Sequence, residues 1–372
     1  MVFSTLFRRV PTLRPAAGPE GLARKEDSQA YGIHELPVAW RPPVPHGSYD
    51  RPEKGRTAMT DGGFRVTRLY HPSHHVTDLR EAEAWFERVF GRPSRPMAEM
   101  MRGAPVSEGY PTDYSTFTPI NDVLFDTIDP KRYVLQGVQR YASVDKPHLK
   151  GFGWYVDGIA DAYRALKGLG IGMVGQLDEV VEGDDPPTAP NSPMPIFFTV
   201  PEDAGLRYEF LPQIPFPLDH RLAPDWELPP VSEDDPLGIE RCAHHTVLTD
   251  RVDRALRVVV DGLGGTVIDT GRNEVLGAQS TYVHLADAVF EYAVPDDGTP
   301  AYADWATGAP NDTYHSLTWK VADLDRVARH LDAQGVGVRT RTSDTLVTDA
   351  ATGLGIPWGF TTRLTAGDPR KG

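Results

Sequence analysis

Apolar side chains recur at helical spacing in four separate stretches of this chain. Each stretch has hydrophobic residues at i, i+3, i+4 and i+7, the pattern of an amphipathic α-helix with one buried face. Each follows a segment typical of a β-strand, and glycine-containing turns such as FGR and GLG end most of them, as left-handed helix caps favour. We therefore predict four helices, at residues 82–90, 159–166, 252–260 and 324–331.

Strand-like segments also follow each predicted helix. Two or three alternating or apolar runs of suitable length lie behind every helix before the next one begins. The order strand, helix, strands therefore occurs four times. It predicts an α+β fold of four βαβββ modules, paired into two domains with curved mixed or antiparallel sheets.

The second half of the chain repeats the pattern of the first half at an offset of 165 positions. The segment FTPINDVLFDTIDP from Phe117 aligns without a gap with YVHLADAVFEYAVP from Tyr282, and Asp126 falls on Glu291. The segment WYVDGIADAYRALKGLGIGM aligns with WKVADLDRVARHLDAQGVGV at the same offset. We therefore expect the C-terminal half to be a copy of the N-terminal half.

Length and composition predict two domains and an extension. The 372 residues, 40% of them apolar, exceed one ordinary domain. A proline- and acid-rich stretch between the halves is typical of a linker, and the first part, crowded with Pro and Arg, is typical of disorder. A translation start at Met59 stays open. The predicted parts are the disordered extension 1–63, the first domain 64–213, the linker 214–238, the second domain 239–364 and the tail 365–372.

The charge and the cysteine count narrow the classes of partner. A net charge of −14 argues against nucleic acid, whose phosphates require a basic surface. No apolar run reaches the roughly 18 residues of a membrane span. The single cysteine, Cys242, cannot form an internal disulfide, which fits a reducing compartment. We expect a cytoplasmic protein that binds a small molecule, with self-association left open.

Histidines and carboxylates concentrate on the first and last strands of the predicted modules. The segment HPSHHVTDLREAEAWFERVFG begins at His71, seven residues before Asp78, and two strand endings read LRYEF and AVFEY. From Val66 to the C terminus the chain resembles the vicinal oxygen chelate superfamily, which includes glyoxalase I, type I extradiol dioxygenases and methylmalonyl-CoA epimerase. The resemblance implies paired modules that curve around a cleft, where His or Gln and Glu side chains bind a divalent metal.

The resemblance implies a metal site in the C-terminal half, at His244, Glu291 and His315. Two imidazoles and one carboxylate form the facial triad of non-haem Fe(II) enzymes. A buried Glu291 would also need a metal or a cationic partner. His315 lies eight residues before Asp323 rather than seven, so it needs a β-bulge to point inward. The last strand of the fourth module has Gly359 where a carboxylate is expected.

The resemblance also implies a possible second site in the N-terminal half, at His71, Asp126 and Glu209. Lys150 stands there where the C-terminal half has its second histidine. One imidazole and two carboxylates form a harder ligand set, better suited to Mn or Mg. A competing interpretation pairs Glu209 with its neighbour Arg207 on the surface.

Three further histidines have simpler interpretations. Neighbouring residues on a strand point to opposite faces, so at least one of His74 and His75 should point outward, and we expect both to have surface or supporting roles. His284 lies seven positions before Glu291, an odd number that disfavours it as a companion of that carboxylate. It remains a candidate acid or base.

Three functions follow from the resemblance. The four-module architecture favours a metal-dependent oxygenase acting on a small catechol-, hydroquinone- or enol-like substrate chelated to Fe(II). The first alternative is a glyoxalase- or epimerase-like lyase or isomerase with redox-inert Mn, Zn, Ni or Mg. The second is a metal-free binding or resistance protein that holds a planar ligand between aromatic walls such as Trp154 and Trp319.

Overall fold

The computed structural model describes residues 63–102, 109–190, 192–214 and 219–371, and the backbone of two short strands before them. These strands, β1 (Leu13–Pro15) and β2 (Val38–Trp40), pair antiparallel. The extension predicted to be disordered otherwise lies outside the described residues. Over the described ranges, no helix has both the length and the apolar character needed to cross a membrane.

The first half of the chain forms an eight-stranded mixed sheet. At its centre β3 (Arg65–His75) pairs antiparallel with β9 (His148–Asp157). Each has a parallel neighbour from the end of its own module, β6 (Val123–Ile128) beside β3 and β12 (Tyr208–Leu211) beside β9. The outer strands are β4 (Arg95–Pro96), β5 (Ser115–Ile120), β10 (Met173–Val174) and β11 (Phe197–Thr199), and a separate hairpin is formed by β7 (Val134–Leu135) and β8 (Val138–Gln139).

The first helix of this half ends at the predicted residue but begins three residues before the predicted start. The Asp78 carboxylate accepts hydrogen bonds from the backbone N–H groups of Arg80 and Glu81, so it caps the first helix. Gly91 ends that helix in the left-handed region, with φ +65°. The helices are α1 (Leu79–Phe90), α2 (Met97–Met100), α3 (Ile159–Gly168) and α4 (Pro201–Ala204).

The second half forms another eight-stranded sheet with the same arrangement of strands. Here β13 (Ile239–Leu248) and β17 (Thr313–Val321) are the central antiparallel pair, flanked by β16 (Ala288–Pro295) and β20 (Gly359–Thr361). This topology confirms the predicted α+β fold of paired modules. The other elements are β14 (Thr266–Asn273), β15 (Ala278–Leu285), β18 (Val338–Arg341), β19 (Thr345–Thr348), α5 (Val252–Leu256), α6 (Pro300–Ala306) and α7 (Leu324–Ala333).

The third predicted helix differs from a regular α-helix. After α5 the chain continues as a π-helix, Arg257–Gly262. Its wider turn changes the direction of successive side chains less than an α-turn does, which leaves both Val258 and Val259 fully buried. The apolar pattern therefore located this helix but did not reveal its geometry.

The two sheets share one hydrophobic core. Trp85 of α1 stacks on Trp358 of the second half, with ring centroids 5.9 Å apart, and its indole donates to the Thr352 carbonyl. Trp154 and Trp319, predicted as walls of a ligand site, are fully buried in this core. They contact other core aromatic rings, so the prediction that they face a ligand is wrong.

The connection between the halves is fastened to both of them. Within the predicted linker 214–238, Arg221 is buried against Asp219 and donates to the backbone carbonyls of Tyr70 and Asp122. Near the end of the linker, the Arg326 guanidinium of α7 donates to backbone carbonyls of the connection. The described part of this segment therefore packs against both halves.

Truncating the shared core should destabilise both halves together. We expect Trp358→Ala, at a side chain that is 1% exposed, to lower the free energy of unfolding by about 3–5 kcal/mol, in one transition. Urea unfolding followed by circular dichroism measures this. Val338→Ala, at an exposed position of β18, is the matched control and should change little. Separate transitions for the two halves would contradict a common core.

Candidate metal site and cavity in the N-terminal half

The register of the central strands brings three predicted ligands together in the first half. Across the sheet, His71 on β3 is the partner of Gly153 on β9, and Glu209 on β12 is also a partner of Gly153. Asp126 on β6 is the partner of Ser73, two residues after His71. His71 therefore lies between the two carboxylates. Gly153 leaves room for this arrangement, since a Cβ there would lie 3.3 Å from Glu209 Oε2.

The two nitrogens of His71 face different carboxylates. Nδ1 lies 3.9 Å from Asp126 Oδ2, and Nε2 lies 3.6 Å from Glu209 Oε2. Nδ1 also contacts the Ser73 hydroxyl at 3.2 Å, and the Ser115 hydroxyl donates to Asp126 Oδ1. His71 Nε2, Asp126 Oδ2 and the Glu209 carboxylate therefore remain available to coordinate a cation.

Burial shifts the pKa values of these groups towards their neutral forms. Burial raises the pKa of Asp126 to about 8, against the effect of the Ser115 hydrogen bond. Burial likewise raises the pKa of Glu209 to about 7, although Arg207 and Arg140 oppose the shift. Burial, followed by the nearby Arg221, lowers the pKa of His71 to about 3. The site thus holds a neutral imidazole and two carboxylates that titrate near neutral pH.

These groups lie in the wall of a cavity of about 720 Å³. That volume is in the range of small-molecule sites. Among the described residues its lining is mostly apolar and aromatic, and the ionisable members apart from tyrosines are His71, Asp126 and Glu209. Other lining side chains include Met97, Met100, Met101, Tyr110, Tyr114, Phe117, Tyr133, Tyr141, Gln176, Met194 and Phe198.

Sequence reasoning missed most of this lining. Tyr114 and Tyr133 stack in parallel with ring centroids 3.8 Å apart, and the Tyr110 hydroxyl lies 3.3 and 3.2 Å from theirs. Gln176 donates to the Tyr133 hydroxyl. Several of these side chains lie in loops without a periodic pattern. The run RPMAEMMRG, with three methionines, was the signal available in the sequence.

In the second half the structure brings His244 and Glu291 together. His244 Nε2 lies 3.6 Å from Glu291 Oε2. Glu291 is fully buried and accepts four hydrogen bonds, from Thr246, Asn273, Ser280 and Tyr282 at 2.7–2.9 Å. Burial alone would raise the pKa of Glu291, but His244 and these donors outweigh it and lower the pKa. The carboxylate is therefore stabilised without a metal.

His315, the expected third ligand, binds elsewhere. Tyr314 pairs with Val247 and Ser316 with Thr246, so His315 is the extra residue of a β-bulge, as its spacing required. Its Nε2 lies 3.2 Å from Asp304 Oδ2 of α6, and its Nδ1 lies 3.1 Å from the Ser316 hydroxyl. The bulge therefore directs His315 to Asp304, and His315 does not complete a metal-ligand set with His244 and Glu291.

Matched positions show why the two carboxylates differ. Ser115 and Ser280 both donate to their carboxylate. Phe117 pairs with Asp126 as Tyr282 pairs with Glu291, but only the tyrosine can donate a hydrogen bond. Gly359, where the fourth module lacks a carboxylate, packs against Thr318, the partner of His244. The first half thus keeps an open carboxylate pair, and the second half fills the equivalent space.

Two arguments about strand faces were wrong, the one for His74 and His75 and the one for His284. His74 and His75 are both buried, because both faces of β3 are covered, and His74 Nε2 bonds to the Leu354 carbonyl. His284 pairs with Val289 across the β15–β16 hairpin while Tyr282 pairs with Glu291, which puts His284 on the Glu291 face. An odd or even separation in the sequence predicts the face of a side chain only within one strand, and a turn separates His284 from Glu291.

His284 and Glu209 lie in different surroundings. His284 is half-buried, and burial and then Arg370 lower its pKa, while Asp368 and Asp287 act in the opposite direction. Arg207 pairs with Asp178 at 2.6 Å and not with Glu209. His284 therefore lies away from the cavity lining of the first half, while Glu209 remains free for a ligand.

The chemistry of the first-half residues fits a hard divalent cation. Carboxylates suit Mg and Mn, imidazole suits transition metals, and a cation would compensate two buried carboxylates. Over the described residues, no group of three His, Cys, Asp or Glu side chains is already arranged as a metal site. The donors are neighbours that have not converged on one point, since His71 turns one nitrogen to each carboxylate.

Comparison with known sequences does not place the chain. No family model matches it. One curated protein, cytochrome P450 CYP105Q4 of Mycobacterium marinum, is 48% identical over 40 residues, which are 11% of this chain and 10% of that protein. The chain thus covers about a tenth of the length of that relative.

Comparison with solved structures identifies the fold. A mutant of 4-hydroxymandelate synthase from Streptomyces coelicolor superposes with a TM-score of 0.53 at 13% identity, over 82% of this chain and 95% of that chain. The Mn(II)-bound glyoxalase of Novosphingobium aromaticivorans gives 0.50 at 12% identity, over 83% and 86%. The chain has the vicinal oxygen chelate fold. The superpositions span both halves of this fold, so they do not distinguish the two candidate sites.

In protein treated with a chelator, the free energy of unfolding should respond differently to neutralisation of Glu291 and of Asp126. Glu291→Gln should cost about 1–3 kcal/mol, because an amide cannot accept from all four donors. Asp126→Asn should cost nothing at about pH 8.5, since the folded pKa of about 8 exceeds the usual 3.8 and stability is lost as pH rises through that range. Urea unfolding of both variants measures the contrast, and equal losses would contradict it.

Proposed function

We propose that this protein is a divalent-metal enzyme whose active site lies in the N-terminal half, where His71, Asp126 and Glu209 hold the cation. The observation that carries the proposal is two buried carboxylates beside one imidazole in the wall of a cavity of about 720 Å³. An apolar ligand alone would leave these carboxylates without compensation. The glyoxalase that shares this fold is described as Mn(II)-bound, which supports a metal of this class.

The side chains favour proton transfer as the reaction class. A bound divalent cation supplies positive charge that stabilises negative charge developing on two neighbouring substrate oxygens. His71 is a neutral ligand near pH 7, since burial lowers its pKa to about 3. Asp126 and Glu209 are the carboxylates of the described cavity lining, so we assign the transfer of the substrate proton to one of them. We infer a lyase or isomerase of the glyoxalase or epimerase kind.

The iron oxygenase predicted first is less well supported. A facial triad needs two imidazoles and one carboxylate. His71 is the only histidine among the described residues that line the cavity. In the second half, His244 and Glu291 lack His315, and Glu291 is already satisfied by four donors. The donor set thus favours a redox-inert metal or Mn over Fe(II).

The cavity also changes the expected substrate. Its volume and its apolar, tyrosine-rich lining suit an aromatic or otherwise large apolar molecule more than a single small catechol. The tyrosine hydroxyls and Gln176 provide a few polar contacts within that lining. We propose a substrate that combines a large apolar body with two adjacent oxygen atoms.

Metal content should depend on the first half. We expect protein purified without chelator to contain about one equivalent of Mn, Mg, Zn or Ni, lost in His71→Ala because that variant removes the only imidazole of the set. Elemental analysis measures this. His244→Ala is the matched control from the second half and should retain the metal. Loss with His244→Ala alone would place the site in the other half, and metal-free wild-type protein would favour a binding protein.

Metal affinity should rise with pH. Because the metal must displace protons from Asp126 and Glu209, affinity should increase by up to about tenfold per pH unit for each proton, from about pH 6 to about pH 8. Calorimetric titration with Mn²⁺ over that range measures the slope. Asp126→Asn should weaken binding and flatten the slope. A wild-type affinity independent of pH would contradict this assignment of ligands.

A further inference from the structure

Two arginines lie side by side next to the metal candidate with one carboxylate between them. Arg140 and Arg207 each bond to a different oxygen of Asp178 at 2.6 Å. Both guanidinium groups lie over the Phe198 ring, at 5.4 and 4.4 Å from its centroid. The Arg140 side chain is 1% exposed and the Arg207 side chain is 15% exposed, whereas Asp178 is half exposed. The positive charges are therefore more deeply buried than their counter-ion.

Several N–H groups of these arginines have no partner. In each of the two residues, Nε and Nη2 are buried and have no hydrogen bond within the described part of the chain. A guanidinium carries five N–H donors, and leaving buried charged donors unsatisfied costs more than leaving neutral ones unsatisfied. Asp178 and Glu209, whose pKa both arginines lower, are two acidic groups beside three cations, Arg140, Arg207 and Lys150. Arg207, the more exposed of the two and the one that lines a pocket, therefore has charge and hydrogen-bonding capacity for an anion beside it.

A small pocket of about 20 Å³ lies between Arg207 and Glu209 of the metal candidate. We call it the cationic annex, and its lining includes Ser73, Tyr141, Lys150, Phe198, Arg207 and Glu209. Ser73, Tyr141, Phe198 and Glu209 also line the large cavity, so the two spaces adjoin. Lys150 adds a third positive charge at an exposed position. The annex has room for about one water-sized group, which suits one oxygen atom of a carboxylate that enters from the large cavity.

The backbone beside the annex is held close to Arg207. A Cβ at Gly151 of β9 would lie 2.6 Å from the Arg207 carbonyl oxygen, so only glycine fits there without a shift. Gly151 thus lies between the Arg207 backbone and its own strand partner Ser73, which is also the partner of Asp126. The cations and the carboxylates of the metal candidate are thus built on the same central strands.

We propose that the cationic annex binds a carboxylate group of the substrate, whose apolar body lies in the large cavity. The carboxylate accepts hydrogen bonds from Arg207, with Arg140 and Lys150 contributing charge, next to the proposed metal. The substrate class is then an aromatic or long apolar carboxylic acid. This inference rests on the proposed function in treating the bound molecule as a substrate. The preference of the annex for a carboxylate does not require a metal.

A pair of probes of equal ring size tests the annex. In protein treated with EDTA, 2-naphthoate should bind about tenfold or more tightly than the neutral 2-naphthalenemethanol, since hydrogen bonds to charged groups are the strong ones. Arg207→Gln should reduce the preference towards unity, while Arg207→Lys should retain part of it. Calorimetry or fluorescence titration gives both dissociation constants.

The controls separate this proposal from the proposed function. Arg207→Gln leaves Arg140 paired with Asp178, so the fold should persist, which a thermal melt checks. Lys150→Gln should weaken only naphthoate binding, and Arg164→Gln, at an exposed arginine of α3, should change neither probe. Equal binding of the two probes by wild-type protein, or a preference unchanged in Arg207→Gln, would overturn the annex. Absence of Mn²⁺ binding would refute the metal site and leave this preference intact.

Discussion

A carboxylate buried in a protein must be compensated, and the two halves of this chain meet that constraint differently at equivalent positions. Glu291 accepts hydrogen bonds from four neutral donors and lies beside His244. Asp126 receives one such bond, from Ser115, and has Glu209 as a further carboxylate nearby. The second half has thus stabilised its carboxylate internally, while the first half keeps an unsatisfied pair at a cavity wall.

The sheet topology determines which side chains meet at that wall. Because β3 has β9 on one side and β6 on the other, His71 lies between residues contributed by the ends of both modules. Gly153, the strand partner of His71 and Glu209, provides space for the Glu209 side chain. The shared core then fixes the two sheets to each other through rings such as Trp85 and Trp358. Site geometry and stability therefore depend on the same central strands.

The periodicity of the sequence predicted the modules and the equivalence of Asp126 with Glu291, because strand and helix patterns are local and repeat. It could not predict which half keeps an open site. That choice depends on single differences such as Phe117 against Tyr282, and on loops without period that bring Tyr110 and Tyr133 to the cavity. The spacing of His315 indicated a β-bulge but not the direction in which the bulge turns the side chain. The face of His284 depends on the register of a hairpin, which its separation from Glu291 in the sequence does not determine.

The most direct test of the central claim is anomalous diffraction from crystals of the protein grown with Mn²⁺. The account predicts a strong anomalous peak bonded to His71, Asp126 and Glu209 at about 2.0–2.2 Å, with the imidazole turned to share one ion with both carboxylates. It predicts no peak between His244 and Glu291. A peak at that second pair, or well-ordered His71, Asp126 and Glu209 side chains with no ion among them at saturating Mn²⁺, would contradict it.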